Sequence, residues 1–238
     1  MNAVLQGKQA LVTGANGGLG HAIATELASQ GCNLLLTSRK PSQLAEVAEE
    51  LKKSGAGVEA FPADLADAAD VEKLIAQVRR KSPRLDVLIN CAGLLPVGPI
   101  ATAEVGEFDR CFAVNVRAPF LLCRAFLPDM AKQRWGRVVN VGSSSAFSGF
   151  KNTSIYCASK HALLGLSRSL HQEMRGENVR VISVNPGSIR TAMGKKIPGQ
   201  DFDTFLDPVD VARYIVFAIS FDSELVSEEI RLNRMDIQ

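Results

Sequence analysis

The chain has few of the residues on which metal-binding and disulfide-rich proteins depend. Its 238 residues include three histidines and five cysteines. The cysteines, which form neither a C-x-x-C pair nor a metal-ligand spacing, are Cys32, Cys91, Cys111, Cys123 and Cys157. We therefore predict no metal site, interpret the cysteines as reduced and buried thiols, and expect a cytoplasmic protein.

Charge of one sign and long apolar runs are also scarce. Lys and Arg number 27 against 25 Asp and Glu, which gives a net charge of +2, and the basic clusters at 79–81 and 195–196 are short. This balance argues against a nucleic-acid-binding surface. No continuous apolar stretch approaches the roughly 18 residues of a membrane span, and the first residues do not resemble a signal peptide. We expect a soluble protein that binds neither membranes nor nucleic acids.

Short apolar runs alternate with longer amphipathic segments along the chain. The predicted strands are 8–13, 33–38, 58–62, 86–91, 137–141, 179–185 and a short 230–233, and the predicted helices include 21–30, 41–54, 68–81, 105–130 and 155–174. Such alternation is typical of a parallel sheet covered on both faces. We predict an α/β protein with a doubly wound sheet of about seven strands, in a single domain spanning residues 1–238.

A glycine-rich turn follows the first predicted strand. The spacing Gly14-x-x-x-Gly18-x-Gly20 leads directly into a helix. Glycines allow the backbone to approach a pyrophosphate closely, and the helix N-terminus offers free N–H groups to that anion. The turn therefore predicts a dinucleotide site, and a plain strand-to-helix turn is the alternative.

Tyr156 and Lys160 lie four residues apart in a predicted helix, and Ser143 lies thirteen residues before the tyrosine. Positions i and i+4 share one helix face, so the ammonium is expected to favour the ionised phenol and lower its pKa. Tyr156 is then a candidate acid/base. The alternative is a serine-rich loop that runs into an ordinary amphipathic helix.

Five segments occur in the order found in one enzyme family. They are T-G-x-x-x-G-x-G at 13–20, N-C-A-G at 90–93, Asn115, Y-x-A-S-K at 156–160 and P-G-x-x-x-T at 186–191. The chain resembles the classical short-chain dehydrogenase/reductase family over nearly its whole length, with Cys91 replacing the second Asn of N-N-A-G. The resemblance implies a Rossmann-type fold and an oxidoreductase that interconverts a carbonyl and a secondary alcohol by hydride transfer.

The resemblance also implies the roles of four catalytic residues. Tyr156 would exchange a proton with the substrate oxygen, and Ser143 would donate a hydrogen bond to that oxygen. Lys160 would hold the nicotinamide ribose, and Asn115 resembles the residue that holds a water between this lysine and solvent. A homodimer or homotetramer is implied, formed through the helices that carry Asn115 and Tyr156.

The end of the second predicted strand bears on the choice of cofactor. NAD enzymes place an acidic residue here, whereas this chain has Thr37-Ser38-Arg39-Lys40. Arg39 can pair with the 2′-phosphate of NADP and Ser38 can donate to it, so NADPH is predicted over NADH. The alternative is that Arg39 and Lys40 are solvated charges, and the glycine turn offers no second basic residue.

The predicted cofactor-binding set extends over the loops that follow the strands. Asp64 resembles the aspartate that binds adenine in the family, with a helix cap as the alternative. The set comprises Gly14, Asn16, Gly18, Leu19, Gly20, Ser38, Arg39, Asp64, Leu65, Asn90, Ala92, Gly93, Tyr156, Lys160, Pro186, Gly187, Ile189 and Thr191. Because ligands of doubly wound sheets bind outside the carboxyl ends of the strands, these residues should share one crevice.

A segment at about 187–207 is the predicted substrate lid. It is rich in apolar residues (Met193, Ile197, Phe202, Phe205 and Leu206), and apolar residues of other loops flank it (Leu94, Leu95, Pro96, Phe147 and Phe150). Lys195 and Lys196 suggest an anionic or carrier-bound substrate such as a 3-oxoacyl thioester. Other ketones, diketones or hydroxy acids are the alternative substrates, and a non-catalytic NADP-binding sensor is the alternative function.

Overall fold

The structure, a computed structural model, describes residues 3–197 and 199–235. Within these residues the chain forms seven strands and seven α-helices. The strands are β1 Gln9–Thr13, β2 Asn33–Thr37, β3 Val58–Ala60, β4 Val87–Asn90, β5 Gly136–Val141, β6 Val179–Pro186 and β7 Glu229–Leu232. The helices are α1 Gly18–Ser29, α2 Pro41–Lys52, α3 Ala68–Lys81, α4 Val105–Phe112, α5 Ala118–Lys132, α6 Ser154–Met174 and α7 Pro208–Ile219.

All strands of the described residues join one parallel sheet in the order β3-β2-β1-β4-β5-β6-β7. The strand order reverses between β1 and β4, and at such a point the loops that follow the two strands diverge and leave a crevice. Thr13 pairs with Thr37, so β1 and β2 end at the same level. The predicted doubly wound fold is confirmed.

Each face of the sheet carries an apolar layer because neighbouring strand residues point to opposite faces. Val12 and Val139 pack with α1, α2 and α7. Leu11 and Val138 pack with α3 and α5 on the other face. Strands buried on both faces read as continuous apolar runs, which is the pattern that predicted them.

The predicted helix 105–130 is interrupted by a π turn, Ala113–Arg117, which lies between α4 and α5. The N–H of Ala118 donates to the carbonyl of Ala113, five residues earlier. Pro119 has no N–H to donate to the carbonyl of Asn115. The irregularity therefore precedes the proline, and it contains Asn115.

The segment Val105–Lys132 is long and apolar enough to span a membrane by length and composition, with a mean hydropathy of 1.3 over 18 residues. It is the one such segment in the part of the chain that the structure describes. Core helices of soluble proteins have the same property, and 61% of this window is buried inside the protein. The packing of α5 against α3 and the sheet accounts for its apolar composition.

Candidate active site

A cavity of about 680 Å³ lies over the carboxyl ends of the central strands. The predicted site residues that line it are Gly14, Asn16, Gly18, Leu19, Gly20, Ser38, Arg39, Asp64, Leu65, Ala92, Gly93, Ser143, Tyr156, Lys160, Pro186, Gly187, Ile189 and Thr191. Asn90 and Asn115 do not line it. The chain therefore brings residues from the loops after the first six strands and from helix α6, up to 177 positions apart, into one crevice.

The glycine turn depends on close backbone contacts. Gly14 has φ +68°, and a Cβ there would lie 2.9 Å from the Cα of Ala92. A Cβ on Gly20 would lie 2.2 Å from the carbonyl oxygen of Gly14. No side chain caps α1 at Gly17, so the free N–H groups and positive dipole end of this helix remain available to an anion.

Thr13 fixes the neighbouring loop beneath this turn. Its hydroxyl accepts hydrogen bonds from the N–H groups of Cys91 and Ala92, each at 3.0 Å, and donates to the carbonyl of Ile89 at 3.3 Å. The end of β1 thereby positions the start of the loop after β4. In the sequence, this contact is indicated only by the position of Thr13 as the first residue of the T-G-x-x-x-G-x-G motif.

The end of β2 presents an unpartnered donor to the cavity. Ser38 is 4% exposed, and its hydroxyl has no hydrogen-bond partner within the described residues. A buried hydroxyl without a partner is costly, which favours a ligand that accepts its hydrogen bond. Arg39 follows directly and also lines the cavity, so the pair suits an anionic group.

Asp64 is paired with a residue that the sequence did not reveal. Arg110 of α4 donates to the Asp64 carboxylate at 2.9 Å, and both residues line the cavity. Burial raises the pKa of Asp64, but the N–H of Ala66 and the Arg110 guanidinium outweigh it, so the net shift is downward. The contact joins residues 46 positions apart, and no local pattern could have predicted it.

Tyr156 and Lys160 meet at the centre of the cavity. The Lys160 ammonium lies 5.7 Å from the centroid of the Tyr156 ring and donates to the carbonyl of Val141 at 2.8 Å. Burial raises the pKa of Tyr156 to about 12, against the effect of a hydrogen bond with Ser143. Burial lowers the pKa of Lys160 to about 8.

The expectation that Lys160 lowers the pKa of Tyr156 below its ordinary value is therefore wrong for the protein without cofactor or substrate. Desolvation of the phenolate outweighs the other effects on Tyr156, because burial disfavours a charged form. At neutral pH Tyr156 is a neutral phenol with a proton to donate. This protonation state suits a general acid that acts on a developing alkoxide.

Ser143 follows β5 and is positioned by β6. Its N–H donates to the side chain of Asn185 at 3.3 Å, and its hydroxyl accepts from the N–H of Ser145 at 3.1 Å. A Cβ on Gly142 would lie 1.9 Å from the Asn185 side-chain oxygen. The backbone beside Ser143 therefore fits closely against β6.

Asn115 connects the loop after β4 to helix α6 and does not line the cavity. Its side chain accepts from the N–H of Leu94 at 2.8 Å and donates to the carbonyl of Leu94 at 3.0 Å and to the hydroxyl of Ser159 at 2.9 Å. Ser159 directly precedes Lys160. Asn90 is likewise buried and donates to Asn140 across the sheet at 2.8 Å.

The substrate half of the cavity differs in part from the predicted pocket. Met193, Ile197, Leu94, Leu95 and Phe150 line the cavity, whereas Phe202, Phe205, Leu206, Pro96 and Phe147 do not. Lys195 stacks on Phe202, and neither Lys195 nor Lys196 lines the cavity. Of the predicted lid, Pro198 lies outside the described residues.

Two contacts lie within the lid, and a third joins the lid to the glycine turn. Arg190 pairs with Asp207 at 2.6 Å, and the hydroxyl of Ser188 donates to Gln200 at 2.9 Å. A Cβ on Gly18 would lie 2.9 Å from the Thr191 methyl carbon. The base of the lid therefore packs on the glycine turn.

The five cysteines are free thiols. Burial raises the pKa of Cys91 to about 12, although this residue lines the cavity. A thiol that stays protonated is a poor nucleophile. In the described residues no three His, Cys, Asp or Glu side chains are grouped to hold a metal ion.

Comparison with known proteins agrees with this geometry. The model of the short chain dehydrogenase family matches residues 8–201. An uncharacterized oxidoreductase of Staphylococcus saprophyticus is 33% identical over 231 residues, which cover 95% of this chain and 97% of the relative. An uncharacterized oxidoreductase of Staphylococcus aureus is 33% identical over 227 residues, with the same shares of both chains.

Two solved structures share the fold over almost their full length. A metagenomic short-chain oxidoreductase in complex with NADP has a TM-score of 0.86 and 31% identity, covering 98% of this chain and 99% of that one. A putative NAD(P) dependent gluconate 5-dehydrogenase of Beutenbergia cavernae with bound NADP has a TM-score of 0.88 and 31% identity, covering 96% of each chain. With the family model matched over most of its length and relatives aligned over nearly all of it, this chain belongs to the short-chain dehydrogenase family and is an oxidoreductase by relationship.

Proposed function

We propose that the protein is an NADPH-dependent oxidoreductase that interconverts a carbonyl and a secondary alcohol. The observation that carries the proposal is the convergence of Tyr156, Lys160 and Ser143 in the cavity that the glycine turn also lines. Tyr156 carries its proton at neutral pH, since burial raises its pKa to about 12. A neutral phenol is the form that can donate a proton when a carbonyl is reduced.

A bound nicotinamide cofactor supplies or accepts the hydride. Tyr156 donates its proton to the carbonyl oxygen as negative charge develops there. Ser143 donates a hydrogen bond to the same oxygen. Lys160 would hold the ribose hydroxyls of the cofactor, and its ammonium would stabilise the tyrosinate left after proton transfer.

The preference for NADPH rests on the end of β2. Ser38 has a buried hydroxyl without a partner in the described residues, and Arg39 and Lys40 are cations on the cavity wall. A phosphate would accept from Ser38 and pair with Arg39. Two structures similar to this chain carry NADP in the crystal, which supports the proposal.

The carbonyl substrate is proposed to be a ketone with an apolar portion. Leu95, Phe150 and Met193 give the substrate half an apolar wall. The prediction of a 3-oxoacyl thioester depended on Lys195 and Lys196, which do not line the cavity. This substrate is therefore less favoured than other ketones and oxo acids.

We also propose a homodimer or homotetramer in the cytoplasm. Val105, Phe108 and Phe120 are 74%, 43% and 45% exposed on the helices around Asn115. Exposed large apolar side chains favour burial against another subunit. Size-exclusion chromatography with light scattering would distinguish the dimer from the tetramer.

Oxidation of NADPH and of NADH, followed by absorbance, tests the proposed reaction against ketones, diketones, oxo acids and 3-oxoacyl thioesters. We expect turnover that prefers NADPH and is lost in Tyr156→Phe. Equal turnover by this variant would contradict the assignment of the acid. Tight NADPH binding without turnover of any compound would instead support a sensor.

A further inference from the structure

Lys151 is a cation on the cavity wall that the proposed reaction does not use. The charged residues that line the cavity are Arg39, Lys40, Asp64, Arg110, Lys151 and Lys160. Asp64 is the one carboxylate among these described residues, and Arg110 neutralises it. Arg39 and Lys40 belong to the cofactor half, so Lys151 gives the substrate half a positive charge with no carboxylate to balance it.

A closed turn holds the backbone of Lys151 at the rim of the cavity. The N–H and the hydroxyl of Thr153 both donate to the carbonyl of Phe150, at 3.3 and 2.9 Å. Asn152 has φ +62°, and its carbonyl accepts from the N–H of Gly98 at 2.9 Å. The loop after β5 is thereby tied to the loop after β4, and the position of Lys151 is defined.

The Lys151 side chain is exposed and forms no ion pair or hydrogen bond with any residue of 3–197 or 199–235. It lies five residues before Tyr156, and both line the cavity. An ammonium is a compact point charge with three donors. It therefore suits a single negative charge, whereas a phosphate with two charges would be better matched by several cations.

We propose that Lys151 binds a carboxylate of the substrate, so that the substrate class is oxo acids and the corresponding hydroxy acids. This inference rests on the proposed carbonyl–alcohol reaction. The carboxylate lies at the rim near Lys151, and the carbonyl lies deeper, at Tyr156 and Ser143. The apolar wall formed by Phe150 and Met193 contacts the carbon chain between the two groups.

The test compares straight-chain oxo acids (2-oxohexanoate, 4-oxopentanoate and 5-oxohexanoate) with their methyl ester counterparts, using NADPH and measuring kcat/KM. The readout is the acid-to-ester ratio for each pair. One charge-assisted contact at an exposed position predicts a wild-type ratio of about 10 for the best-fitting pair. Raising the ionic strength should shrink this ratio, since salt screens exposed charges.

Variants separate charge recognition from a structural role. Lys151→Gln should lower the ratio about tenfold, and Lys151→Glu should lower it further, because the introduced carboxylate repels the acid. Lys196→Gln is the matched control, an exposed lysine of the lid that does not line the cavity, and it should keep the wild-type ratio.

Two outcomes would overturn the inference while leaving the proposed reaction intact. One is a wild-type enzyme that reduces the esters as well as the acids. The other is a Lys151→Gln variant that loses acid and ester activity equally, which is the behaviour of a structural residue. Failure to oxidise NADPH with every acid, ester, diketone and thioester would overturn the proposed reaction, and this inference with it.

Discussion

The two halves of the cavity are built in different ways. In the cofactor half, the glycines of the turn at 14–20 are in contact with other atoms, and a Cβ on Gly14, Gly18 or Gly20 would lie within 2.9 Å of a neighbour. In the loops beside the substrate half, a Cβ on Gly98 or Gly149 would meet nothing within 4 Å, and neither glycine lines the cavity. The glycine turn of the cofactor half therefore has no room for an added carbon, whereas the outer loops beside the substrate half do have that room.

This difference separates two kinds of mutational effect. Substitution in the cofactor half should disturb the fold together with cofactor binding, since loop and turn pack against each other. Substitution in the substrate half should change rate or selectivity while the fold persists. The contrast follows from close packing, because interiors without free space transmit any added volume to their neighbours.

The largest effect is expected at Tyr156, where the two halves meet. Tyr156→Phe removes the acid and keeps the ring, so kcat/KM for the best carbonyl substrate should fall about 10³-fold. The urea midpoint should change little, because the ring continues to fill its place. Retention of more than about a tenth of wild-type activity would exclude Tyr156 as the proton donor.

The next largest effect is expected from a single methyl group in the glycine turn. Gly20→Ala places a Cβ 2.2 Å from the carbonyl oxygen of Gly14 and should lower the free energy of unfolding by about 3 kcal/mol, as overpacking does. NADPH affinity should fall with it. Urea denaturation and NADPH fluorescence titration measure the two effects.

Gly149→Ala, in a loop beside the substrate half, is the matched control. A Cβ there meets nothing within 4 Å, so we expect a change in unfolding free energy of less than about 0.5 kcal/mol. If both variants lose the same stability, the proposed contrast between the halves is wrong.

Lys160 allows burial in the cavity to be tested through the pH dependence of stability. Its folded pKa of about 8 lies below the ordinary 10.5, so between these values the unfolded chain binds more protons and stability rises with pH. The stability of wild type relative to Lys160→Met should therefore increase by about 2 kcal/mol from about pH 7 to 9.5. Below the folded pKa the burial penalty on the ammonium is present in full.

Urea unfolding of both proteins across this pH range measures the effect, and the difference cancels groups that the variant leaves unchanged. A relative stability that does not depend on pH would mean that the ammonium is better solvated than its 4% exposure indicates. A relative stability that falls as the pH rises would mean that folding raises the pKa of Lys160 instead of lowering it.

The contrast also explains which features the sequence could predict. The spacing Gly14-x-x-x-Gly18-x-Gly20 reports a local backbone geometry, and strands buried on both faces give continuous apolar runs. The doubly wound sheet and the location of the crevice were therefore predictable. Helix α3 matches its predicted bounds, Ala68–Lys81, where Asp67 caps the first turn.

Contacts between distant segments were not predictable in this way. Arg110 reaches Asp64 across 46 positions, and the π turn at Asn115 depends on how α4 and α5 pack. The pKa of Tyr156 was predicted in the wrong direction because the i, i+4 spacing of Lys160 reveals a neighbouring charge but not the burial that outweighs it. The lining of the substrate half likewise depends on how the lid folds back.

The smallest effect is expected at Arg39, an exposed side chain in the cofactor half. Arg39→Ala should weaken NADPH binding about tenfold, the value of one charge-assisted contact at an exposed position, and leave NADH affinity nearly unchanged. Arg80→Ala, which removes an exposed arginine of α3, is the matched control. Fluorescence titration with both cofactors measures the effect. An equal loss for NADPH and NADH would assign Arg39 to the diphosphate that the two cofactors share, and no loss for either would mean that Arg39 is a solvated charge.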